Sequence, residues 1–225
     1  MRRTLLALAV GAALVSSFVL PQTGSGADPG GGGCQLAGSA AFTPNGPGAT
    51  DTFSYSVNAQ LTGCQSNIAG APTAGTLAVG QHVVETVTIQ TPTGPQQVQA
   101  TYAEPLATGA GAVPGNSCAA GSTAGTGVVT WGDNSTTVVS YTTNSVGPAV
   151  PLQGTVAPSM TLTLVSGPAG SPATFTISST NPLYPAGDGA AGVVAFTTSD
   201  PTPCTTAAGL SSVDLQGFVG IGATS

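Results

Sequence analysis

From Phe53 to Leu61 apolar and polar residues alternate without a break. Phe53, Tyr55, Val57, Ala59 and Leu61 fall on one side, and Ser54, Ser56, Asn58 and Gln60 on the other. A period of two sends one set to a buried face and the other to water, the pattern of a half-buried antiparallel strand. Similar runs span Gln81 to Gln90, Gln96 to Ala103, Thr136 to Thr142, Met160 to Val165, Ala173 to Ser179 and Ser212 to Ile221. Turn chemistry separates them at Asn45-Gly46-Pro47, Thr93-Gly94-Pro95, Asp133-Asn134, Gly167-Pro168 and Gly187-Asp188-Gly189. Outside the amino-terminal segment no window combines helical periodicity with capping residues. The expectation is an all-β chain, an antiparallel β-sandwich of about 10–12 short strands with Gly/Pro-rich turns.

One motif recurs three times. Gly38-Ser39-Ala40-Ala41-Phe42 is followed by Leu61-Thr62-Gly63, Gly127-Val128-Val129-Thr130-Trp131 by Leu152-Gln153-Gly154, and Gly192-Val193-Val194-Ala195-Phe196 by Leu215-Gln216-Gly217. The aromatic-to-leucine offsets are 19, 21 and 19 residues, a loose echo of one hairpin-like unit. Phe42, Trp131 and Phe196 are expected at comparable places, anchoring the core. Each leucine shares a strand face with the glycine two places on, which implies a bulge or a close approach of neighbouring backbone.

The first 27 residues read as a secretory signal peptide: Met1-Arg2-Arg3, a short apolar run from Leu5 to Leu20, and a small-residue exit at Ser25-Gly26-Ala27. Residues 28–33 form a glycine-rich lead-in, expected to be mobile, and residues 34–225 a single β domain. Cleavage before Asp28 removes Arg2 and Arg3, the only basic side chains, and leaves eight carboxylates with one histidine. A mature chain of that composition cannot neutralise phosphates, so nucleic acid is excluded as a partner, and anionic lipid surfaces repel it. It has no lysine for a Schiff base or a phosphate loop and no arginine to clamp a carboxylate. Low charge with abundant Gly, Pro, Ser and Thr could suggest disorder, but 40% of the residues are hydrophobic and many alternate strictly. No membrane span is expected in the mature chain.

Four cysteines in an exported chain imply two disulfides, and three pairings are possible. Cys34 with Cys64 and Cys118 with Cys204 is the pairing favoured here. The scattered spacing, without a C-x-x-C pair, argues against a metal site, and no cofactor motif is present. Catalytic chemistry is scarce. His82 is the only histidine and begins a strand, where a surface position is the ordinary reading, and no G-x-S-x-G elbow accompanies it. A carboxylate pair for hydrolysis could be drawn from Asp51, Glu85, Glu104, Asp133, Asp188, Asp200 and Asp214. Asp133, Asp188 and Asp200 sit at turns, where aspartate is common. Glu85 alternates with Val83 and Val87, which makes it the best candidate for a raised pKa. The glycine runs Gly109-Ala110-Gly111-Ala112 and Gly121 to Gly127 lack a lysine and a following helix, so they read as loops rather than phosphate cradles.

The pattern of Cys34, Gly38, Phe42 and Leu61 to Cys64, then Cys118 and Val129-Thr130-Trp131, then Asn181-Pro182 and Ala186-Gly187-Asp188, ending in Cys204 and Gly217, resembles that of uncharacterised secreted proteins of high-GC Gram-positive bacteria. The resemblance implies a fold and an exported chain, with no activity and no catalytic residue attached. The first functional expectation is therefore a secreted, non-enzymatic, disulfide-stapled β protein acting outside the cell or at the envelope through surface contacts with an unspecified partner. The second is a binding module for a small neutral or apolar ligand or a glycan, with Trp131 and the adjacent Asp133 as possible contacts. An apolar cavity, or a solvent-facing row of Trp131 with Tyr55, Tyr102, Tyr141 or Tyr184, is the feature that selects the second. A carboxylate-dependent hydrolase comes third.

Overall fold

The structure is a computed structural model describing residues 32–43, 52–111, 120–146, 149–200 and 209–222. The signal segment, Asp51, Cys118, Cys204 and the Asn45-Gly46-Pro47 turn lie outside the described residues. Among the described residues are thirteen strands and no helix. They are β1 (Gly32–Thr43), β2 (Thr52–Ser66), β3 (Gly75–Val79), β4 (His82–Thr91), β5 (Gly94–Ala103), β6 (Ala107–Gly111), β7 (Ala120–Trp131), β8 (Thr136–Val146), β9 (Ala149–Ala157), β10 (Ser159–Ser166), β11 (Thr174–Ser178), β12 (Gly189–Thr197) and β13 (Ser212–Ile221). The alternating runs read from the sequence coincide with β2, β4, β5, β8, β10, β11 and β13.

The chain is all-β and antiparallel, but its main sheet is a closed barrel and not one half of a sandwich. Around the circumference the order is β1, β13, β12, β9, β8, β7, β3 and β2, and β2 pairs back onto β1. Closure rests on β1 meeting the last strand from Gly32↔Ile221 to Ala41↔Ser212. A strand that lines a barrel alternates like one that lines a sandwich, so the pattern along the chain is the same for both. Only the pairing of the first strand with the last distinguishes them.

Two excursions leave the barrel. β3 and β6 occupy one position in the wall, each pairing with β2 and β7, and the chain between them forms the β4–β5 hairpin. Between β9 and β12 it forms β10 and β11. β5 pairs with β10, giving a four-stranded sheet in the order β11, β10, β5, β4. That sheet packs on the outer face of β7 and β8, where Val128 and Val138 meet Val87, Ile89, Tyr102, Met160 and Leu162. A sandwich interface therefore exists on one side of the barrel only.

The three motif units are not equivalent. Units one and three are adjacent strand pairs, β1 with β2 and β12 with β13. Unit two spans β7 and β9, with β8 between them. β7 also runs opposite to β1 and β12, so Phe42 and Phe196 lie toward one barrel end and Trp131 at the other. The glycines do what their positions imply. Gly63, in the left-handed region at φ 57°, lies at the register shift between β1 and β2, a bulge. A Cβ on Gly217 would overlap the Val193 carbonyl oxygen, and one on Gly154 the Ser140 carbonyl oxygen, so both mark close backbone approach.

Two expectations are corrected. The runs at Gly109 and Gly121 to Gly127 are not loops: Gly109 belongs to β6 and the second run to β7. A Cβ on Gly109 would run into the Phe53 ring, and one on Gly125 would come within 2.6 Å of Ala107 Cβ and 2.8 Å of the Tyr141 hydroxyl. Glycine there makes room for aromatic rings inside the barrel. The lead-in is also shorter than expected, because Gly32 and Gly33 already pair in β1, with the Phe218 ring over Gly33.

Candidate functional site

The barrel wall turns its apolar alternates inward. Leu36, Val57, Leu77, Val129, Val139 and Leu215 are among the side chains lining the lumen, which holds a partly open cavity of about 190 Å³. The polar alternates Ser54, Asn58, Gln60, Thr130, Thr142 and Gln153 face outward. A transmembrane barrel needs the reverse, an apolar exterior around a polar interior. No helix among the described residues is long and apolar enough to cross a membrane.

One end of the lumen is closed by its own side chains. Trp131, at the end of β7, is 3% exposed; its indole N–H donates to Thr137 Oγ1 at 2.8 Å and its ring lies 5.2 Å from that of Tyr184. Tyr184 comes from the segment between β11 and β12, which folds under the barrel. Asn181 fixes that segment by donating to Ser135 Oγ at 2.9 Å and accepting from the Leu183 N–H at 2.9 Å. The Cys34–Cys64 disulfide ties β1 to β2 at the same end. Trp131 is thus a wall and floor residue of the cavity and not a solvent-facing platform. Asp133 points away, exposed in the β7–β8 turn, where Asn134 takes the left-handed region at φ 65°. Its carboxylate accepts from the Ser135 hydroxyl at 2.7 Å and the Ser135 N–H at 2.9 Å, and these bonds hold its pKa below the usual carboxylate value.

Four hydroxyls interrupt the apolar lining. Tyr55 Oη is hydrogen-bonded to Thr123 Oγ1 at 2.8 Å and to Tyr141 Oη at 2.9 Å, and Thr123 Oγ1 to Thr143 Oγ1 at 2.7 Å. Register explains the cluster. Thr123 and Thr143 are direct partners across β7 and β8, and Tyr55 reaches them over Ala107, the small residue β6 places between β2 and β7. Burial pushes both phenols above their ordinary pKa, Tyr141 far above because the Tyr55 oxygen adds to the effect. Both stay protonated and act as O–H groups. Phe42 and Phe53 stack beside Tyr55, with Phe42 and Phe53 edge-on at 5.5 Å.

The carboxylates are scattered. Glu85 faces the inner side of the four-stranded sheet with Val87 and Ile89, half-buried, and desolvation raises its pKa. Glu104 is more deeply buried, where the chain returns from that sheet to the barrel; its Oε2 accepts the Gln81 N–H at 3.0 Å while its own N–H donates to the Gln81 carbonyl at 2.9 Å. Burial raises its pKa and the Gln81 N–H partly offsets the rise. Asp200 and Asp214, both exposed, line one polar hollow where β12 ends and β13 begins, at the opposite end of the barrel from Asp133 and Asp188. His82 is exposed at the start of β4. Among the described residues no group of three or more His, Cys, Asp or Glu side chains could hold a metal ion.

The hydroxyl cluster is what sequence reasoning missed. Tyr55 and Tyr141 stand out as aromatics, but Thr123 lies in a run that composition presents as a loop. The signal was parity: Thr123, Gly125, Gly127, Val129 and Trp131 share one face of β7, and Val139, Tyr141 and Thr143 one face of β8.

The fold and lumen together define an eight-stranded antiparallel barrel with an apolar interior, carrying an auxiliary four-stranded sheet. Comparisons with protein-family models, curated proteins and solved structures find no match for this chain.

Proposed function

We propose that this protein is a non-enzymatic binding protein that holds a small apolar molecule inside its barrel. The observation that carries the reading is the lumen itself. An eight-stranded barrel is the size at which the interior either fills with side chains or keeps room for one small ligand. Here about 190 Å³ remains, lined almost wholly by carbon. An engineered apolar cavity of about 150 Å³ stays dry and takes up benzene, so this volume suits one ring or a short chain. The glycines of the wall support the reading, because the Phe53 ring and the Tyr141 hydroxyl lie against Gly109 and Gly125 more closely than any side chain there would allow, which leaves more of the lumen open.

Export completes the proposal. A leader over residues 1–27, the Cys34–Cys64 disulfide and the polar barrel exterior all favour a protein released into an oxidising compartment. A second disulfide between Cys118 and Cys204 belongs to the same proposal.

The test is a titration of the full-length protein with toluene, followed by the fluorescence of Trp131, the sole tryptophan and a lumen residue. Saturable binding in the millimolar range or tighter is expected, and Val139→Phe, which fills the lumen, abolishes it. Absence of a saturable change in wild type, confirmed by calorimetry, would overturn the proposal.

A further inference from the structure

We infer that the occupant is an uncharged molecule bearing one hydrogen-bonding group, such as a hydroxyl or carbonyl, seated against the Tyr141–Tyr55–Thr123–Thr143 chain. This rests on the apolar-binder reading and narrows it. A purely apolar occupant has no use for four hydroxyls on the wall of a cavity otherwise built from carbon. Each hydroxyl has one donor and two acceptor lone pairs. The three mutual bonds consume three of four donors and three of eight lone pairs. The chain therefore retains one donor and five lone pairs, and it can both give to and accept from a guest.

Hydroxyl hydrogens rotate, so the direction of donation along the chain can reverse to suit the guest. A carbonyl would receive the remaining O–H; a guest hydroxyl could donate to an oxygen of the chain. Charge is the excluded feature. Burial holds both phenols protonated, so the cluster presents no anion to a guest cation. No side chain of the lumen lining is basic, so a carboxylate or phosphate would enter without a counter-charge. Three of the cluster residues line the cavity alongside Tyr55, on the wall between β2 and β8, with Phe42 and Phe53 beside them. A ring or chain lying along the apolar lumen with its polar group turned toward β7 satisfies both parts of the surface.

Toluene, benzyl alcohol and benzoate share one skeleton and separate the possibilities. Calorimetric titration of the full-length protein is expected to give benzyl alcohol an affinity equal to toluene's or tighter, and benzoate at least about a hundredfold weaker binding. In a lumen without a polar anchor, burying the alcohol unpaired would make it about tenfold or more weaker than toluene. Thr143→Val and Tyr55→Phe are expected to weaken benzyl alcohol about tenfold while leaving toluene within about twofold. Should either variant fail to fold, the wild-type series alone decides. Toluene binding with benzyl alcohol tenfold weaker overturns this inference and leaves the apolar-binder reading standing. Benzoate binding as well as benzyl alcohol overturns the requirement for a neutral guest. Failure of all three to bind overturns the apolar-binder reading itself.

Discussion

Gly217 tests whether the barrel wall is packed as tightly as its backbone implies. It lies in the middle of β13, facing Val194 across β12, and a Cβ there would overlap the Val193 carbonyl oxygen and sit 2.8 Å from Val194 Cα. Both obstacles are backbone, held in a ladder that continues on either side, so neither can swing away. Gly217→Ala should therefore cost about 1–3 kcal/mol, the range for forcing an extra carbon into a packed interior. Gly132 provides the control. It sits exposed in the β7–β8 turn with nothing nearer a built Cβ than the Ala74 carbonyl at 3.6 Å, and its φ lies outside the left-handed region. Gly132→Ala should be neutral or stabilise by roughly 0.4–1 kcal/mol through the unfolded chain. The difference between the variants is then about 1–4 kcal/mol, or about 2–16 °C in Tm for a chain of this size. Thermal unfolding followed by Trp131 fluorescence reads it directly. Equal stability of the two variants would refute the tight β12–β13 contact and the register on which the lumen depends.

Other consequences follow from charge and sulfur. Glu104 has a folded-state pKa above its ordinary value, so the folded protein holds the proton more firmly than the unfolded chain. The stability this confers is full below the unfolded pKa and is lost as pH rises through the folded one. Glu104→Gln, measured by urea unfolding, should gain on wild type between mildly acid and neutral pH; a constant difference across that range would contradict the assignment. Replacing both Cys34 and Cys64 with serine should cost up to about 3.5 kcal/mol, reduced to the extent that the β1–β2 hairpin persists in the unfolded chain. Exported material should begin at or near Asp28, contain no titratable thiol and pass unretained over heparin at low salt. An amino terminus at Met1, two free thiols or firm retention would each remove one support from the proposed extracellular role.

Strand identity was legible because it is local. Each residue from Phe53 to Leu61 announces its face by its neighbours two places away, and the observed burial follows that alternation. Glu85 was legible for the same reason, sharing the inner face with Val87 and Ile89. Closure was not legible. β1 and β13 carry alternation suited to either a sandwich edge or a barrel seam, and their pairing joins opposite ends of the described chain. The glycine-rich stretch of β7 was misread because its reason is distant: Gly125 and Gly127 yield space to Tyr141 on β8 and to Val79 on β3. Trp131 read correctly as packing mass, whereas its partners Thr137 and Tyr184 are set by the β8 register and by a segment more than fifty residues on. The hydroxyl chain unites β2, β7 and β8, and no spacing in the sequence encodes that meeting.

The most direct measurement of the central idea is a crystal structure of the full-length protein under xenon pressure. Xenon enters dry apolar cavities without needing any particular shape or polar contact. An ordered xenon atom inside the barrel, bounded by Leu77, Val129, Trp131 and Val139, is the expected result. A lumen occupied by collapsed side chains or by hydrogen-bonded water, with no xenon, would contradict the account.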